Sequence, residues 1–372
     1  EMAFKMKDFA DFQIPLEEVV KATNNFHNDN IIQHGRSGRG IAYTGQLLRS
    51  GKEMTIDARR FDCKHGEGDL EFLAEISALS DLKHTNIVSF IGFCDEGDEK
   101  IIVTKHAAIG TLWSQLDLPN LTWEPRLSIC VGVARALNYI HHERRDYAIL
   151  HCNINIHTIL LDDNLEPKLS GFEFSIKQFG YCKDQVCFCE HSGRMRRIDP
   201  AIEKTGGVTD MSDIYLFGVF LYEMLLGRRI WIDGDVDRHL ASLAIYNFEN
   251  PETLQDIIHP YLWNQMSPSS LAKYSRLAYS CLNEDPAQRP SLVKIVRQLG
   301  KATLLQEMHQ YVGDRWGHLK FRLSDIKLAT NNFSETYRIG VRAKLDHFDV
   351  ENPSPMKGDN LVVVKRFPFG DK

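Results

Sequence analysis

The apolar pattern of this chain changes period once, and that change constrains the fold more than any other feature. Residues 31–104 hold short strand-like runs at Ile41–Thr44, Met54–Ile56, Ile87–Ile91 and Ile101–Val103. One helix is predicted to interrupt them over 69–82, with Leu70, Leu73, Ile76 and Leu79 at helical spacing. Beyond residue 111 the pattern is helical. Leu127, Cys130, Val133, Ala134, Leu137 and Ile140 form one stripe, and Ile214–Leu226 is almost wholly apolar, as in a helix buried on all sides. Pro286 and Pro290 bracket a turn before a last helix predicted over 291–299. The expectation is a bilobal α+β fold, a small β-rich lobe followed by a larger helical one.

The chain also repeats itself. Ile14–Phe26 matches Phe321–Phe333: Leu16 pairs with Leu323, Val19 with Ile326, and Ala-Thr-Asn-Asn-Phe is identical in both. Arg59-Arg60-Phe61 returns as Lys365-Arg366-Phe367 at nearly the same offset. A period near 300 residues is a domain duplication rather than a solenoid. Residues 321–372 are too few for a core of their own and read as the truncated start of a second domain, with 301–320 as linker and 1–30 as a lead-in segment.

Composition excludes several classes. Lys and Arg number 44 against 50 Asp and Glu, a net charge of −6, which is no signature of nucleic-acid binding. No apolar run is long enough to span a bilayer and no signal-peptide pattern opens the chain. The eight cysteines read as reduced thiols, which points to the cytoplasm. Cys182, Cys187, Cys189 and His191 lie close together but lack the paired spacing of a zinc site, so no metal site is expected there.

The motifs carry a resemblance. The Ala-Thr-Asn-Asn-Phe lead-in, His84-Thr85-Asn86-Ile87-Val88, Ile91-Gly92-Phe93-Cys94, Gly110-Thr111-Leu112, Ser212–Val219 and Asp285–Pro290 resemble the kinase domain of plant receptor-like serine/threonine kinases. The resemblance implies a protein kinase-like domain over 31–300, with an N-lobe at 31–104, a hinge at 105–110 and a C-lobe at 111–300. It also implies where catalysis should lie, and there the chain departs from the family. The catalytic loop H-R-D-x-K-x-x-N reads His151-Cys152-Asn153-Ile154-Asn155-Ile156-His157-Thr158. Asn153 stands for the catalytic Asp, Asn155 for the Lys and Thr158 for the metal-binding Asn. The metal-binding D-F-G reads Gly171-Phe172-Glu173. Glu173 is a carboxylate two positions late. The phosphate loop reads Gly35-Arg36-Ser37-Gly38-Arg39-Gly40-Ile41-Ala42, with Ser37 at the middle glycine and Ala42 at the adenine-packing valine. It is either a weakened phosphate cradle or a solvated hairpin. Arg59 stands for the β3 lysine, in a register supported by Lys365 of the second copy, and its expected partner is Glu75. Thr104 takes the gatekeeper position, and Lys105, His106 and Ala107 form the hinge facing adenine. His151, Asp213 and Arg289 keep the family's scaffold positions. At the end of the activation segment Asp199-Pro200-Ala201 replaces A-P-E, so Asp199 or solvent must satisfy Arg289.

An asparagine amide is no useful general base, and a positioned base is worth about 10²–10⁴ in rate. The resemblance therefore implies a pseudokinase, a signalling scaffold or regulatory binding module. Such a module would bind ATP weakly at most, carry no competent Mg²⁺ site, and engage protein partners such as an active receptor-like kinase at the cytosolic face of the plasma membrane. Two alternatives stay open. One is an active serine/threonine kinase using Glu173 for metal and Arg59 for phosphate. The other is a switch that binds nucleotide without catalysis.

Overall fold

The structure is a computed structural model that describes residues 6–33, 40–49, 51–61, 68–118, 121–144, 146–179, 186–187, 199–227, 236–316, 323–329, 332, 334, 338–342, 345–350 and 362–366. It divides into two compact units, Glu1–Glu307 and Met308–Lys372.

In the first unit, α1 (Leu16–Ala22) precedes a five-stranded antiparallel sheet. Its strands are β1 (Ile31–Gln33), β2 (Ile41–Arg49), β3 (Lys52–Arg60), β4 (Phe90–Glu96) and β5 (Glu99–Lys105), in the order β1-β2-β3-β5-β4. Helix α2 (Asp69–Leu79) lies between β3 and β4 in sequence. Its buried face is Phe72, Glu75, Ile76 and Leu79, whereas Leu70, expected on that stripe, is 53% exposed. The Phe72 ring stands edge-on to Phe61 and Phe93 in one cluster with Ile76, against which Leu73 packs. The strand expected over 87–91 begins only at Phe90, because Ile87 instead bridges to Leu169 of the helical lobe, through the Val88 amide donating to the Leu169 carbonyl and the Leu169 amide donating to the Asn86 carbonyl.

The lead-in is not peripheral. Gln13 bridges to Phe93, the Ile14 amide donates to the Phe93 carbonyl at 2.7 Å, and Ile14 and Val19 are buried in one cluster with Leu47, Ile56 and Val103. Gly92 permits this approach, since a Cβ there would stand 2.3 Å from the Phe12 carbonyl. Thr-Asn-Asn-Phe terminates α1: the Asn25 amide bonds to the Val20 carbonyl at 2.7 Å, and Asn25 adopts the left-handed φ of 55° common just past helix ends.

The larger lobe continues with β6 (Gly110–Thr111), α3 (Leu112–Gln115), α4 (Trp123–His142), β7 (Tyr147–Leu150), β8 (Ile159–Leu161), β9 (Pro167–Leu169), β10 (Ile176–Phe179), α5 (Pro200–Thr205) and α6 (Asp210–Leu226). Next come α7 (Val236–Glu249), α8 (Leu254–Ile257), α9 (Pro260–Trp263), α10 (Pro268–Cys281) and α11 (Leu292–Trp316). All six residues of the α4 stripe are buried, as is every residue of α6 from Ser212 to Leu226. Removing such side chains from water is the main stabilising term for a lobe of this kind. Helix α11 runs to Trp316, so much of the stretch expected to be linker is helical: Ala302 and Gln306 are buried, and Gln306 bonds to Gln265 and Ser267 of the same lobe.

The second unit contains α12 (Leu323–Ala329) and a three-stranded antiparallel sheet of β11 (Arg338–Arg342), β12 (Leu345–Val350) and β13 (Val362–Arg366). Helix α12 has the same bounds in the sequence repeat as α1. The repeat extends to the cap: Asn332 has φ 56° and its amide bonds to Lys327, the counterpart of Val20. Among the described residues no helix is long and apolar enough to cross a membrane.

Candidate nucleotide-binding site

A cavity of about 230 Å³ lies between the β-sheet and the loops of the larger lobe. Antiparallel pairing of β3 with β5 sets its roof. Asp57 and Arg59, two apart on one strand, share a face and both line the cavity, as do Ala42, Thr104, His106 and Ala107. Lys105 is exposed and its amide bonds to the Ser89 carbonyl at 2.9 Å. Gly40 sits at the sheet edge with φ 73°, where a Cβ would collide with the Arg60 carbonyl. Gly35 and Ser37 lie outside the described residues, as do Cys182, Cys189 and His191.

At the deep end, Arg59 forms an ion pair with Glu75 of α2 and a second with Glu173 at 3.8 Å. Both carboxylates are buried. Burial pulls the Arg59 guanidinium down, but the charges of Glu75 and Glu173 outweigh it and hold it protonated above its ordinary value. Glu173 also accepts from the Asn153 side-chain amide at 3.0 Å. One carboxylate thus joins the β3 cation to the catalytic-loop position.

The loop is knitted by its own amides. Asn155 donates to the Asn153 carbonyl at 2.9 Å and to its side-chain oxygen at 3.1 Å. The Thr158 hydroxyl donates to the Asn153 carbonyl at 2.8 Å and accepts from the Asn155 amide at 3.1 Å. All three residues are buried. Gly171 has φ 81°, and a Cβ there would stand 2.6 Å from the Thr158 methyl. Glycine at 171 and threonine at 158 are therefore complementary in shape.

The frame beneath is held by Asp213, fully buried on α6. It accepts from the amides of His151 at 2.7 Å and Cys152 at 2.8 Å and from His141 Nε2 at 2.8 Å. Burial pushes its carboxyl up, but the His141 hydrogen bond and the neighbouring histidines and amides together bring it below the ordinary range. Burial also pulls the His151 imidazole below its ordinary value. The His151 Nε2 lies 3.1 Å from the Ser170 carbonyl and its ring stands edge-on to Phe172 at 4.6 Å. Cys152 has φ 62° and packs with Leu150 and Val208 in an apolar cluster, where the family's arginine would be charged. Arg289 is held bidentately by Asp199, at 2.6 and 2.8 Å.

Sequence reasoning missed two participants. Asp57 accepts from the Ala107 amide at 3.3 Å and its other oxygen lies 2.5 Å from His106 Nδ1. Burial pushes its carboxyl up, with His106 and the Ala107 amide acting against that. The signal was present as a lone acid between Ile56 and Ala58, on the same strand face as Arg59. His141 had only its place in α4, and nothing local marks it as the partner of Asp213.

Comparison with known proteins agrees with this fold. The family described as "Protein tyrosine and serine/threonine kinase" matches residues 28–299. The chain belongs to this kinase family. Its relatives in Arabidopsis thaliana include the receptor-like protein kinase HERK 1, 33% identical over 362 residues covering 95% of this chain and 42% of the relative. ANXUR2 and THESEUS 1, also receptor-like protein kinases, are each 33% identical over 297 residues, covering 78% of this chain and 34% of the relative. The chain thus spans less than half the length of these relatives. The two lobes are those of the bilobal α+β kinase fold.

Proposed function

We propose that this kinase-family chain serves as a signalling scaffold or regulatory binding module in which phosphoryl transfer is impaired or absent. The observation that carries this reading is the Glu173 carboxylate, bonded to Asn153 and paired with Arg59. Phosphoryl transfer in kinases needs a base in the catalytic loop, a β3 lysine on the phosphates, and magnesium held by the D-F-G Asp and the loop Asn. Here those positions are Asn153, Arg59, Gly171 and Thr158. The residues present do not fit magnesium. Gly171 offers no ligand, the Thr158 hydroxyl is spent on the loop backbone, and Glu173 is engaged by a guanidinium and an amide. They fit the triphosphate of ATP poorly as well, since the Arg59 charge is already met by two carboxylates. What the residues do is hold the two lobes together: one buried chain of contacts runs from α2 through β3 to the catalytic-loop position.

The relatives are named as kinases, which favours a second reading, a serine/threonine kinase with Glu173 and Arg59 in displaced roles. One assay separates the two. The full chain is incubated with γ-labelled ATP, magnesium and a generic protein substrate, beside an Arg59→Ala variant. The proposed reading expects incorporation no greater than in the variant. Sustained transfer that disappears in the variant would sink it.

The proposal extends to partners and place. A module of this kind would bind signalling proteins, an active receptor-like kinase among them, at the cytosolic side of the plasma membrane. Co-purification of such a kinase from plant membranes, lost when the module is unfolded, is the corresponding test. The second unit is proposed as the start of a tandem kinase-like domain. The matching helices α1 and α12, their matching Asn caps, and Lys365 on the third strand of its sheet support that reading.

A further inference from the structure

The hinge side of the cavity has an arrangement that the loss of catalysis does not explain. Two successive hinge amides are taken by backbone carbonyls: Lys105 by Ser89 at 2.9 Å and His106 by Thr55 at 3.1 Å. The third, Ala107, bonds instead to a side chain, the Asp57 carboxylate across the cavity roof. The Ala107 donor is therefore met from within the protein, and a ligand acceptor has to compete with a carboxylate for it. In exchange the cavity gains an acid. Asp57 is 7% exposed and lines the cavity, and each oxygen has one protein partner, which leaves acceptor capacity on both. A buried carboxylate is costly unless its acceptor capacity is used.

Charge points the same way. Among the described lining residues, the carboxylates of Asp57, Glu75 and Glu173 face the single guanidinium of Arg59. That field disfavours phosphates and favours neutral or cationic donors. The volume of about 230 Å³ falls below the usual ~300–1,000 Å³ of ligand pockets. It suits one flat ring rather than a nucleoside triphosphate.

We infer that Asp57 is the specificity-determining residue of this cavity, selecting a flat ring whose edge carries two adjacent N–H donors, of the guanine type, over an adenine-type edge. Adenine presents one donor beside one acceptor, and its acceptor would have to take the Ala107 amide from Asp57. A guanine-type edge gives two N–H groups to the two Asp57 oxygens and leaves the Ala107 bond intact. Side-on pairing of that kind is charge-assisted at both contacts. The inference rests on reading the cavity as a ligand site in a chain that does not transfer phosphate.

Isothermal titration calorimetry on the full chain, in magnesium-free buffer with guanosine and adenosine as probes, tests it. Guanosine is expected to bind at least about tenfold more tightly than adenosine, the factor one charge-assisted hydrogen bond supplies. Asp57→Asn, nearly isosteric, turns one acceptor into a donor and is expected to abolish the preference. Asp57→Ala frees the Ala107 amide and is expected to shift it toward adenosine. If Asp57→Ala does not fold, the wild-type comparison and Asp57→Asn decide. Equal affinities in the wild type, no guanosine binding, or a preference unchanged in Asp57→Asn would each overturn the inference. Phosphotransfer is read in a separate assay with magnesium and ATP, so either conclusion can fail without the other.

Discussion

Replacing Asp199 by alanine should cost more stability than any surface charge in this chain. Asp199 and Arg289 meet bidentately with side chains 1% and 0% exposed. Arg289 also donates to the carbonyls of Asn283 and Met211, both at 2.8 Å, and its guanidinium carbon lies 5.1 Å from the Tyr215 ring centroid. Asp199→Ala leaves this charge buried with two carbonyls and, among the described residues, no ion-pair partner. Breaking a buried pair from one side typically costs about 3–5 kcal/mol. The same carboxylate caps α5 through the Ala201 amide at 3.0 Å, a contact worth about 1 kcal/mol. The two losses share one side chain, so the expected total is about 4–5 kcal/mol. Adding Arg289→Met removes the stranded charge. The double variant should lose far less than the sum of the single losses and approach the cap loss of about 1 kcal/mol. Urea unfolding followed by circular dichroism on the four members of the cycle measures this. A loss below about 1 kcal/mol for Asp199→Ala, or additive losses in the double variant, would refute the reasoning.

Three other outcomes follow from the same geometry. Gly171→Asp, which would place a carboxylate at the proposed metal-ligand position, should destabilise by about 1–3 kcal/mol, because of φ 81° and the Thr158 methyl 2.6 Å from the new Cβ; thermal melts should show part of the loss recovered when Thr158→Ser removes that methyl. Stability should fall on acidification. His151, with its folded pKa below the ordinary 6.5, contributes fully above pH 6.5 and loses its contribution as pH drops below it, and Asp213, held below 3.8, adds a further loss as pH falls through its folded value; urea midpoints rising on acidification would contradict this. Val19→Ala should cost about 1–2 kcal/mol, roughly two buried methylene equivalents, because the lead-in helix is part of the lobe; an unchanged melting temperature would show that it is not.

The fold was legible where burial dictates pattern. The α4 stripe and the almost wholly apolar run Ile214–Leu226 of α6 announce themselves because one must be covered on a single face and the other on all sides. Helix α2 keeps three of its four expected stripe residues on the buried side, Leu73, Ile76 and Leu79; only Leu70 turns outward, and Phe72 packs against Phe61 and Phe93 beside them. The lead-in and the stretch up to Trp316 read as a preceding segment and a linker because they flank the motif-bearing region, although Ile14, Val19 and Ala302 are buried in the lobes. In the site, the structure brings together Arg59 and Glu75, a pair implied by the resemblance, with the register of Arg59 supported by Lys365 of the repeat. Glu173 was weighed as a metal ligand, and its direction depends on the left-handed Gly171 before it, which sequence does not encode. Asp57 escaped notice because its meaning lies in contacts with His106 and Ala107, 49 and 50 positions away.

The central proposal is that a kinase fold serves here without magnesium-dependent use of ATP. The most direct measurement is the thermal stability of the full chain with ATP at saturating concentration, with and without magnesium. A ligand bound only to the folded state at a hundredfold excess over Kd adds about 2.7 kcal/mol, so a shift of that size is easily read. The account predicts that magnesium adds nothing to whatever shift ATP produces alone. A stabilisation that appears only when both are present would contradict it and return the chain to the working kinases.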